Sequence, residues 1–90
     1  MLRFEQRKLK GVYGRYIPKK YGVVGMKIQI NTDTPNELLR ETIIHEMIHY
    51  ILDINNVGMN TNQEIVATLI SRNYDYIGEV AKEYERKYSK

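Results

Sequence analysis

The hydrophobic period changes once along this 90-residue chain, and that change narrows the fold to one class. Up to Asn31 the chain is rich in Gly, Tyr, Val and Ile; Met26-Lys27-Ile28-Gln29-Ile30 alternates apolar and polar, the pattern of a half-buried strand, and Gly11, Gly14, Gly22 and Gly25 punctuate the segment. A period of two broken by glycines is the texture of short strands and turns. Val12 to Ile17 reads as a second strand and Leu2 to Glu5 as a weaker third. From Thr34 onward the period is helical. Strands followed by helices, with no return to strands, describe an α+β domain in which helices cover a small sheet. The expectation is therefore one domain over residues 1–90: about three strands over 1–31, antiparallel or mixed, a central helix over 34–54, and helix plus tail over 61–88.

The helix starts are marked chemically. In Thr34-Pro35-Asn36-Glu37, threonine can cap, proline fits the first helical position, and Glu37 completes a capping box. The helix should stop at Asn55-Asn56-Val57-Gly58. It carries two apolar stripes: Ile44, Met47, Ile48 and Ile51 form one, and Leu38, Thr42, His45, His49 and Leu52 the other. Two such faces predict a helix sandwiched between the sheet and another helix. Thr61-Asn62-Gln63-Glu64 is a second start of the same type, followed at helical spacing by Ile65, Val66, Leu69, Ile70, Tyr74 and Ile77. Gly78 is the expected break, and the charged tail is expected to fray.

A domain of this size has a thin core. With no cysteine, neither a disulfide nor a thiolate metal site can staple it. A histidine/carboxylate metal site or a partner chain remains. Charge is uneven: residues 1–30 hold eight Lys/Arg against the single acid Glu5, whereas the rest is net acidic. A basic front third suits either nucleic acid or solvated strands whose lysines discourage edge pairing, and the second is the simpler reading. No apolar run approaches the ~18 residues of a membrane span, and no hydrophobic segment follows the first charges. An intracellular, cytoplasmic protein without membrane contact is expected.

Both histidines of the chain stand in His45-Glu46-Met47-Ile48-His49, an H-E-x-x-H motif in mid-helix. Positions i and i+4 lie one turn apart on one face, so both imidazoles can reach one zinc ion. Glu46, about 100° round the helix, is poor as a ligand alongside both histidines but well placed as general base for a water. A catalytic zinc needs a third protein ligand and an open position. Without another histidine or a cysteine, that ligand must be a carboxylate. Asp53, Glu64, Asp75 and Glu79 follow the motif ahead of the tail. Asp53 lies a further turn along the same helix, whereas a short loop between antiparallel helices can bring Glu64 back across the histidines. Glu64 is therefore the preferred ligand, although the same residue can serve as the capping partner of Thr61.

His45-Glu46-x-x-His49 followed by Glu64-Ile65-Val66-Ala67-Thr68 resembles the gluzincin zinc metallopeptidases, which take their third ligand from a second helix. The small size and the strand directly before the motif helix are similar to the single-domain minigluzincins and to short metallopeptidases of phage and mobile elements. The resemblance spans residues 23–77. It implies a zincin-like fold, zinc held by His45, His49 and Glu64, and peptide hydrolysis with Glu46 activating water. It also implies a peptide or protein substrate laid along an edge strand, here Gly25–Ile30. Thr68 stands where the family often has an acid supporting a ligand. Tyr74 and Tyr76, with Arg72, are the candidates for oxyanion stabilisation. The alternative is a zinc-stapled binding or regulatory protein with little or no catalysis.

Overall fold

In the computed structural model, residues 2–19, 25–58 and 62–90 are described. Three strands, β1 (Arg3–Arg7), β2 (Gly14–Ile17) and β3 (Lys27–Asn31), precede three helices, α1 (Asn36–Ile54), α2 (Gln63–Arg72) and α3 (Tyr74–Tyr88). The class is α+β with a mixed sheet in the order β1-β3-β2. β1 runs parallel to β3, with Phe4 opposite Ile28, and β2 runs antiparallel to it, with Tyr16 opposite Ile28. This order corrects one expectation. The strand ending at Ile30 is central and paired on both sides, so it has no free edge for a substrate. β2 is the antiparallel edge strand. β3 earns the centre because Ile28 and Ile30 are the most apolar pair in the sheet and both are fully buried.

The alternation in β3 is not the half-buried pattern expected, since Gln29 and Asn31 are also buried. Each is satisfied by hydrogen bonds, which makes burial tolerable. Arg15 Nε donates to Gln29 Oε1 at 2.6 Å, and Gln29 Nε2 donates to Glu5 Oε1. Asn31 Nδ2 donates to the carbonyls of Leu9 and Val12 at 2.9 and 2.8 Å. On the other face, Ile28 and Ile30 meet Leu39, Ile43, Met47 and Ile51 of α1 and Ile77, Ala81 and Tyr88 of α3. Phe4 stacks on Tyr84 with ring centroids 3.9 Å apart. The helices therefore cover one face of the sheet, as amphipathic periods require.

Boundaries moved where side chains found other partners. Pro35 is the N-cap of α1 and makes no side-chain cap bond. The Thr34 hydroxyl instead donates to Asn31 O at 2.8 Å, closing the turn out of β3. Thr61 lies outside the described residues, and the side chain of Asn62 caps α2 by accepting from the Glu64 N–H. The helical segment breaks at Asn73, not at Gly78. Asn73 Nδ2 bonds back to Leu69 O at 2.8 Å, the local competition by which asparagine interrupts helices. Gly78 sits inside α3 with open space around a would-be Cβ. Helix continues into the charged tail: α3 reaches Tyr88, which is buried, and Lys90 and Asn36 exchange two hydrogen bonds. No helix among the described residues is long and apolar enough to cross a membrane.

Candidate metal centre

α1 places its three motif residues on two faces. His45 and His49, one turn apart, carry their Nε2 atoms 3.2 Å from each other, with ring centroids 4.8 Å apart. Two imidazole nitrogens that bind one tetrahedral ion at 2.0–2.1 Å stand about 3.3 Å apart. The pair therefore fits zinc with little adjustment. His45 is exposed and His49 half-buried, so the two rings open outward. The second stripe expected on α1 is thus only partly covered: Leu52 is buried, but Leu38 and Thr42 are half-buried.

Glu46 faces the sheet and is 6% exposed. Burial pushes its carboxyl above the usual carboxylate range. The nearby His49 and His45 and the backbone N–H of Tyr16 pull the other way. That N–H is available because of strand geometry. Asn31 N donates to Tyr13 O at 2.7 Å, so alternation along an antiparallel pair turns the main-chain groups of Gly14 and Tyr16 to the outer edge of β2. The edge can approach α1 only where a side chain is missing. A Cβ on Gly14 would stand 2.8 Å from Thr42 Cγ2 and 3.3 Å from Glu46 Cγ. A glycine inside a strand signals such close approach. That signal was present at Gly14 but could not say what approaches.

Tyr16 is a site residue that local sequence did not reveal. Its hydroxyl donates to Asp53 Oδ2 at 2.6 Å, and its ring meets Tyr50 edge-on at 6.0 Å. Both contacts clamp β2 to α1. Asp53, weighed as a ligand, is thereby engaged with Tyr16.

The structure brings together His45, Glu46 and His49, but not Glu64. Among the described residues, no group of three His, Cys, Asp or Glu is placed to hold a metal. Glu64 is exposed in the first turn of α2. With Ile65, Thr68, Leu69 and Arg72 it lines a depression of its own. Tyr74 is 73% exposed and lines an apolar groove between α1 and α3 with Ile44, Ile48 and Ile77. Tyr76 is exposed as well. Neither tyrosine lines the depression at His45 and Glu46, which is formed by Val12, Tyr13, Gly14, Glu41 and Thr42. α2 fully buries none of its side chains, and Val66, Leu69 and Ile70 are only half-buried, so packing holds it on α1 more weakly than α3. Comparison with protein-family models, curated proteins and solved structures finds no match for this chain.

Proposed function

We propose that the chain is a zinc-dependent peptide hydrolase with a minimal zincin-like fold. The observation that carries this reading is the 3.2 Å separation of the two imidazole Nε2 atoms, with a buried carboxylate on the adjoining face. His45 and His49 would hold the ion. Glu64 is the proposed third ligand, which requires the first turn of α2 to close on α1. Zinc, when bound, polarises a carbonyl and acidifies a water. Glu46 takes the proton of the attacking water on its carboxylate and passes it to the departing amine. The Tyr16 N–H keeps the carboxylate aimed. The substrate would run beside Val12 and Tyr13, at the start of edge strand β2, where the depression at His45 and Glu46 opens. This replaces the strand that the resemblance implied.

The separate position of Glu64 favours a second reading, in which the histidine pair staples a binding or regulatory protein that cuts nothing. The experiment that separates them measures zinc content and peptide cleavage in wild type and Glu46→Gln. The hydrolase reading expects zinc in both and cleavage only in wild type. Zinc without cleavage in wild type would support the staple, and an active Glu46→Gln would remove the general base.

A further inference from the structure

Val12 and Tyr13 are large apolar side chains left 47% and 46% exposed beside the histidine turn. They are held there by buried polar groups. The Val12 carbonyl accepts from Asn31 Nδ2 at 2.8 Å. The Tyr13 carbonyl accepts from the Asn31 N–H at 2.7 Å, and the Thr34 hydroxyl oxygen, whose proton goes to Asn31 O, stands 3.2 Å from it. Asn31 and Thr34 are themselves 6% and 1% exposed. The segment is thus an apolar wall with an anchored backbone, which lowers the entropy lost when something binds against it.

The wall faces α1 across the depression of about 300 Å³ that reaches His45 and Glu46. Its far rim is Glu41, one turn before His45. Glu41 is exposed, and no lysine or arginine among the described residues forms an ion pair with it. Its neighbour Arg40, by contrast, is paired with Glu85 at 2.6 Å. An apolar wall ending at an unpaired carboxylate matches a side chain with an aliphatic stem and a cationic head.

We propose that this depression takes the lysine or arginine side chain of an extended peptide, its stem along Val12 and Tyr13 and its cation at Glu41. The choice of a peptide rests on the hydrolase reading; the choice of a basic side chain rests on the wall and on Glu41. The aromatic face of Tyr13 adds attraction for a cation that passes over it.

The test uses two labelled hexapeptides that differ only in one lysine or its uncharged isostere norleucine. They are titrated by fluorescence anisotropy into Glu46→Gln protein, which would leave the peptide uncut. The lysine peptide should bind about two- to fivefold more tightly, the range for one exposed ion pair. The preference should shrink with added salt and vanish when Glu41→Gln is introduced, circular dichroism confirming the fold. Amide shifts should map to Val12, Tyr13 and Glu41. Equal affinities, a preference that survives Glu41→Gln, or no binding of either peptide overturns the pocket. Equal cleavage of both peptides by wild type overturns the pocket and leaves the hydrolase. Lysine-selective binding without cleavage by wild type overturns the hydrolase and leaves the pocket.

Discussion

Replacing Gly14 by alanine tests how closely the edge strand is seated on the motif helix. The new Cβ would lie 2.8 Å from Thr42 Cγ2, about 0.6 Å inside the 3.4 Å at which ordinary contact begins. Overpacking of this kind costs about 1–3 kcal/mol. Gly14 does not have a positive φ, so alanine is compatible with its backbone, and the stiffer unfolded chain returns about 0.4–1 kcal/mol. The net is a destabilisation near 1 kcal/mol, which lowers Tm by about 4–8 °C in a domain of this size. Thr42→Ser deletes Cγ2, the nearest obstacle. In that background Gly14→Ala should be neutral or stabilising, a coupling of about 1–2 kcal/mol between the two sites. Urea denaturation of wild type, both single variants and the double variant measures it. The clash argument fails if Gly14→Ala alone stabilises the chain, as it would were Thr42 to rotate into its other helical rotamer. It fails equally if Thr42→Ser does not relieve the loss.

Tyr16→Phe removes the hydroxyl that donates to Asp53 and should cost about 1 kcal/mol in urea denaturation; Tyr16→Phe with Asp53→Asn should cost little more than either alone. Elemental analysis should find zinc in wild type and clearly less in Glu64→Ala, and equal zinc in the two would exclude Glu64 as a ligand. Burial pushes the Tyr88 hydroxyl up to about 12 and also raises Tyr16, Tyr50 and Tyr84 above the ordinary value of 10. A raised folded pKa means stability that is whole below pH 10 and lost as pH climbs from there through 12. The late part of the phenolate absorbance should therefore rise together with the loss of circular dichroism in that window. Phenolate absorbance that is complete near pH 10 with helix content intact would contradict it.

Some of the fold was legible because its causes are local. The strand texture before Ile30 and the helical period after Thr34 placed all three strands and the first helix within about two residues. Caps were less legible, because Thr34 and Asn62 choose among several nearby partners. The break at Asn73 rather than Gly78 shows the same thing: glycine only permits a break, whereas the asparagine amide competes for a carbonyl. Gln29 looked like a solvent-facing residue because nothing in its neighbourhood announces Glu5 and Arg15 as partners.

The sequence by itself determined the α+β class and the meeting of two imidazoles on one helix turn, since a four-residue spacing is converted to proximity by the helix alone. Only the tertiary structure decided that β3 is central with β1 and β2 at its edges, that Tyr16 and Gly14 belong beside Glu46, and that Glu64 stands apart. Those outcomes depend on pairings such as Arg15 with Gln29 and Tyr16 with Asp53, 14 and 37 residues apart. At such separations no local spacing rule applies, and strand order and helix packing settle which residues meet.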